Sequence, residues 1–150
     1  MEKEKTDALI KRYQLEHLVP FGLTAISIYF WCNYFQQSKF YFFGLFINFV
    51  GLIIWWSAKL TLAENWSAGY GKPQVKKLVT SGIYSKISHP LYWGINLCLI
   101  GLVLIYPKVW FATIDLLIVV YFFVRMKIED KYLTKAVGKE YQDYKRKTWI

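Results

Sequence analysis

His89, Arg125, Glu129 and Asp130 are the side chains whose types and spacing could do chemistry in this sequence. His89 lies in the stretch LVTSGIYSKISHPLYWG (78–94), where a polar, basic loop runs directly into a long apolar segment. The other three lie in RMKIED (125–130), where a second apolar segment returns to charge. An imidazole, a guanidinium and two carboxylates form a set able to hold charged groups and to orient an anion. From His89 to Tyr106 is 17 residues, roughly 26 Å of helix, and from Lys108 to Arg125 is again 17. With Tyr106-Pro107-Lys108 as a minimal turn, a helical hairpin brings both groups to one level. Polar groups at such a boundary also snorkel or pair with one another, so geometry alone leaves a functional cluster and a structural one open.

The elements that must position these groups are strongly apolar. Hydrophobic residues make up 55% of the 150 residues and aromatics 20%. Residues 18–38, 40–58 and 90–107 carry charge only at Lys39 between the first two, and 109–124 contains the single charge Asp115. About 20 helical residues cross a bilayer core, so each stretch reads as a spanning or nearly spanning helix. A soluble bundle with four such helices would lack polar surface. The fold class predicted is all-α integral membrane, with about four transmembrane helices, a C-terminal helical hairpin and a cytoplasmic pocket. As one membrane domain it divides into an amphipathic segment (1–17), a first transmembrane hairpin (18–63), and a part containing the polar loop, second hairpin and C-terminal helix (64–150).

Charge sets the orientation. The net charge is +9, and 16 of the 19 basic residues precede the first span, lie in the central loop or follow the fourth span. The positive-inside rule puts both termini and the central loop in the cytoplasm, in a bacterial or archaeal inner membrane or the endoplasmic reticulum. Anionic headgroups account for the basic charge without nucleic acid. The first apolar stretch is too long for a cleavable signal, and Asn65-Trp66-Ser67 is discounted as a glycosylation site on the cytoplasmic side. Cys32 and Cys98 lie inside apolar stretches without metal or redox spacing and read as buried thiols. Gly44, Gly51 and Ala58, like Gly94 and Gly101, recur every seven residues, the spacing of close helix packing.

LVTSGIYSKISHPLYWG followed by RMKIEDKYLTKAVGKEYQDYKRK resembles the isoprenylcysteine carboxyl methyltransferase family, which sits among the phospholipid methyltransferases. Gly82, Tyr84, His89, Pro90, Tyr92 and Gly94 fit its first motif, Gly-x-Tyr-x3-Arg-His-Pro-x-Tyr-x-Gly. Arg125, Glu129 and Leu133 fit the second, and Gly138, Glu140, Tyr141 and Tyr144 the third. Ser88 stands where the family has arginine, and Asp130 where it has a second glutamate.

The resemblance implies a methyltransferase using S-adenosyl-L-methionine, in a pocket capped by the loop before His89 and by the C-terminal helix. It implies that Glu129 holds the cofactor's ammonium, and that His89 with nearby backbone N–H groups holds its carboxylate. Leu78, Val79, Gly82, Ile83, Tyr84 and Tyr92 shape the nucleoside pocket, while Pro90 fixes the start of the third span. Arg125 would orient an anionic acceptor, because its planar fork matches a carboxylate or phosphate. Arg125 and Glu129 are thus the expected catalytic pair. A lipid-like acceptor, such as the carboxylate of a prenylated cysteine, would enter between helices. Tyr141 and Tyr144 are expected to pack, and Asp115 is left outside the site. Two other readings stay open: an NADPH-dependent sterol-type membrane reductase, and a non-catalytic membrane subunit of the same fold. Oligomeric state is not encoded in any recognisable pattern.

Overall fold

The computed structural model describes residues 21–35, 38–62 and 78–149. Those residues are helical apart from connections. Helix α1 covers 21–33, α2 Tyr41–Leu62, α3 Pro90–Ile105, α4 Val109–Val137 and α5 Lys139–Lys147. A 3₁₀ turn, Gly82–Ser85, precedes α3. The expected amphipathic segment 1–17 and most of the central loop lie outside the described residues.

Sequence explains the boundaries. Pro90 occupies the first turn of α3, where its missing N–H has no helical partner to lose. Tyr106-Pro107 ends the same helix, and α4 starts immediately after Lys108. Gly138 separates α4 from α5 at φ +67°, a conformation that side chains with a Cβ rarely adopt. Because of that break the chain folds back, and α5 lies against the end of α4.

Helix α2 and helix α4 are each long and apolar enough to cross a bilayer. Helix α3 is equally apolar but has 16 residues, about 24 Å of rise, against a hydrocarbon core of about 30 Å. An all-helical membrane architecture fits these helices; α3 is shorter than its predicted span, and of the first span, 18–38, the structure describes 21–35 and 38. Phe42, Phe43, Phe46, Phe49 and Ile53 of α2, and Leu116, Leu117, Val120 and Val124 of α4, are exposed. Apolar faces of that extent belong against lipid rather than water.

The centre of the bundle is the α2–α3 seam, and small residues make it tight. A Cβ added to Gly101 would lie 2.5 Å from the Asn48 amide nitrogen, and one added to Gly51 2.6 Å from that of Cys98. The seven-residue glycine spacing is thus a packing device. It leaves α3 sandwiched, with its opposite face turned to α4. At the end remote from His89, Tyr41, Leu102 and Ile105 form a core with Phe30, Trp31, Tyr34, Leu45 and Phe111 packed around it.

Candidate functional site

His89 caps the start of α3 with only 7% of its surface exposed, beside buried Ser88 and Pro90. Its ring meets the returning arm of the hairpin. His89 Nε2 and Asp130 Oδ1 are 2.7 Å apart, and the Tyr141 hydroxyl donates to the same oxygen at 2.5 Å. Lys145 pairs with the second oxygen, Oδ2. Tyr141 Oη lies 3.5 Å from His89 Nε2, closing the cluster. Asp130 therefore joins three elements: the α3 cap, α4 and α5.

The charges are consistent with this arrangement. Burial alone would raise the Asp130 carboxyl, but hydrogen bonds from Lys145, Tyr141 and His89 outweigh it and hold the group below its ordinary range. Tyr141 is pushed up, first by burial and then by the carboxylate it serves, so its phenol stays protonated as a donor.

Glu129 takes a different side. One residue along a helix is a turn of about 100°, so the two adjacent carboxylates diverge. The Tyr92 phenol interacts with both Glu129 and Arg125, and Tyr84 is raised by burial and then by the Glu129 charge. Glu129 makes no ion pair among the described residues. Arg125, Glu129, Tyr92 and Tyr84 thus form a second group beside the first.

The loop before His89 is held from above. Gly82 adopts φ +56°, and a Cβ there would meet Thr61 of α2 at 2.9 Å. The Ser85 hydroxyl donates to the Gly82 carbonyl at 2.7 Å. Tyr144 donates to the Tyr84 carbonyl at 2.8 Å, and the Trp149 amide to the Lys86 carbonyl at 2.8 Å. The Lys86 ammonium stands 5.4 Å from the Trp149 ring centroid. Burial pushes the Tyr144 phenol up to about 12. A cleft of about 400 Å³ opens between this loop and α5, with Leu78, Thr80 and Ser85 on one wall and Glu140, Asp143, Tyr144 and Lys147 on the other.

Of the residues expected to contact a cofactor, Leu78 lines that cleft. Val79 and Ile83 are half-buried in the loop, Tyr84 is buried, and Gly82 is exposed. His89 and Glu129 share the same end of the bundle without facing each other, since His89 Nε2 is occupied by Asp130. Tyr141 and Tyr144 are buried as packing residues would be, and both hydroxyls are also engaged. Their spacing with Lys145 on one face of a short helix was the available signal. Lys86, three residues before His89, is turned to Trp149.

A mixed-charge amino-acid group fits these donors. Glu129 offers a carboxylate for an ammonium. Arg125 and the remaining His89 ring nitrogen, when it carries a proton, suit a carboxylate.

The family model described as phospholipid methyltransferase matches residues 39–140, well over half of the chain. Comparison with curated proteins and with solved structures gives no match.

Proposed function

Because this chain belongs to the phospholipid methyltransferase family, a family of integral-membrane methyltransferases, we propose that it uses S-adenosyl-L-methionine to methylate a lipid-like acceptor held in the bilayer. The observation that carries this reading is the convergence of the α3 cap and the end of α4, which brings His89, Arg125 and Glu129 to one end of the bundle. The cofactor, when bound, supplies an electrophilic methyl group on a sulfonium. The protein's contribution is then chiefly to position an acceptor in line with that methyl, since transfer to an anion needs little acid–base help.

In this reading Glu129 binds the ammonium, and its adjacent Tyr92 and Tyr84 wall the nucleoside with Leu78, Val79, Gly82 and Ile83. His89 binds the carboxylate through Nδ1, because Nε2 is held on Asp130. That division needs a proton on each ring nitrogen. Arg125 orients the polar end of the acceptor, a prenylated cysteine carboxylate or a phospholipid headgroup. Pro90 fixes where α3 begins, and so where His89 stands. The acceptor's apolar tail stays among the exposed faces of α2 and α4, with the polar site on the cytoplasmic side.

The test is a titration of purified protein with S-adenosylhomocysteine and, separately, NADPH. The homocysteine ligand is expected to bind, with Glu129→Gln and His89→Ala each weakening it at least tenfold. Preference for NADPH would overturn the proposal in favour of a reductase, and binding of neither would indicate a non-catalytic subunit. Labelled methyl transfer to a prenylcysteine analogue or to a phospholipid amine then identifies the acceptor class.

A further inference from the structure

Among the described residues, four polar side chains are buried within the apolar part of the bundle: Ser27, Asn48, Asn96 and Asp115. Asn48 has a clear role, because its Nδ2 donates to the Cys98 carbonyl at 2.8 Å and ties α2 to α3. The other three lie away from that seam, and helical phase shows where. Tyr92 and Asn96 are one turn apart on α3 and share a face. The Tyr92 ring meets Phe122 of α4 at 5.7 Å. Asp115 is seven residues from Phe122, two turns, and shares its face. The side of α3 bearing Asn96 is therefore turned to the side of α4 bearing Asp115.

Helix α1 adds the third residue. Phe30 stacks on Phe111 with centroids 5.3 Å apart. Ser27 lies three residues before Phe30, and Asp115 four after Phe111, on helices running in opposite directions. Both steps lead one turn the same way along the bundle. Ser27, Asn96 and Asp115 come from three helices and are 0%, 2% and 6% exposed.

Their hydrogen bonding is incomplete. Asp115 Oδ1 and both amide atoms of Asn96 have no partner among the described residues. The Ser27 hydroxyl donates to the Leu23 carbonyl at 3.0 Å, leaving its oxygen as an acceptor. Counted from the Tyr92–Phe122 contact, Asn96 and Asp115 are three residues out of level. Counted from the Tyr106–Phe111 contact they are six. That is about 4.5 to 9 Å of helical rise, so the two side chains do not stand directly opposite and a bridge between them must span the offset.

The geometry points to a buried hydration site between α1, α3 and α4, in which Asp115 and Asn96 share water. Water suits the atoms: it donates to Asp115 Oδ1 and accepts from Asn96 Nδ2. A bare cation would satisfy the oxygens but leave the Asn96 N–H groups stranded. The consequence is a polar tie across the hairpin, far from the end where His89 meets Asp130. It pins the register of α3 against α4, which fixes the level at which those two groups meet.

The 150-residue chain in lipid nanodiscs, bearing Asn96→Leu, Asp115→Leu or both, tests this. Shared water makes the Tm losses non-additive, the double variant losing less than the sum of the single ones, because each single change strands the other group. Additive losses overturn the proposal. Asn96→Ser and Asp115→Asn, which keep a polar atom at each position, run the same cycle if a leucine variant does not fold. Exchanging sodium and potassium for choline at constant ionic strength is expected to leave Tm unchanged. A stabilisation specific to one cation assigns the site to that ion instead. An experimental density map is expected to show a feature within hydrogen-bonding distance of Asn96 Nδ2 and Asp115 Oδ1, and direct contact of the two side chains overturns the inference.

Discussion

Replacing Asp130 should loosen the whole end of the bundle that carries His89. In Asp130→Ala, His89 Nε2 and the Tyr141 hydroxyl lose an acceptor they reach at 2.7 and 2.5 Å. Hydrogen bonds to a charged group contribute about 1.5–3 kcal/mol each, and leaving buried donors unmatched is the costly case. The Lys145 pair adds less than about 1 kcal/mol, because the lysine side chain is 43% exposed and solvent screens it. Neighbouring terms do not add fully, so the loss is about 3–5 kcal/mol. Asp130→Asn keeps one acceptor oxygen and should lose about half of that. Tyr141→Phe removes a single donor and should cost about 1–2 kcal/mol.

The pH dependence has a definite sign. The folded-state pKa of Asp130 is depressed, so its contribution is fully present above the unfolded carboxylate value of about 3.9. It is lost as pH falls through the lower folded value. The gap between wild type and Asp130→Asn should thus narrow in strong acid, as the carboxylate takes up its proton. Denaturant unfolding followed by far-ultraviolet circular dichroism measures both quantities. An Asp130→Ala variant within 1 kcal/mol of wild type at pH 7 would refute the view of this carboxylate as the joint of three elements.

Gly101→Ala should destabilise by about 1–3 kcal/mol, because its Cβ meets backbone of Asn48 and Gly44 rather than a movable side chain; the same unfolding measurement reads it. The Tyr144 phenol, raised to about 12, supports stability that is complete below the unfolded tyrosine value of about 10 and lost as pH rises through 12. Alkaline titration at 295 nm should show one phenol fewer ionising in that window in Tyr144→Phe than in wild type. Trp149→Ala should cost about 0.5–1 kcal/mol by removing the ring beneath Lys86, and hydrogen exchange should quicken at residues 82–87 more than in α2.

Much of this architecture is legible in the sequence because bilayer chemistry is demanding. Uncharged stretches of that length have few other uses, and Pro90, Pro107 and Gly138 mark their own boundaries. The seven-residue glycines signal close packing, and equal arms from Tyr106-Pro107-Lys108 bring His89 to the level of 125–130. What sequence does not reveal is rotation about the helix axis. Counting levels cannot tell whether His89 meets Glu129 or Asp130. It is the fold-back at Gly138 that settles this, by bringing Tyr141 and Lys145 to the Asp130 side. Helix lengths were similarly open: apolarity runs from Pro90 to Pro107, yet α3 stops at Ile105, and α4 continues past its apolar part to Val137 because nothing breaks it sooner.

Adjacent carboxylates at 129 and 130 look redundant in sequence, but the helix gives them different neighbours. Asp130 faces donors that need a short, fixed acceptor: His89, Tyr141 and Lys145. Glu129 faces two phenols and a guanidinium, with no ion pair of its own among the described residues. Asp130 is committed to holding the fold, and the proposed function leaves Glu129 to receive a ligand's positive charge. Exchanging lengths should therefore separate the two. Asp130→Glu forces an extra methylene between α4 and α5 and should lower Tm, whereas Glu129→Asp withdraws its carboxylate by about the length of one C–C bond and should weaken S-adenosylhomocysteine binding while leaving Tm within 2 °C of wild type. If instead Glu129→Asp lowers Tm as much as Asp130→Glu, the two carboxylates share one structural task, and the division of labour is wrong.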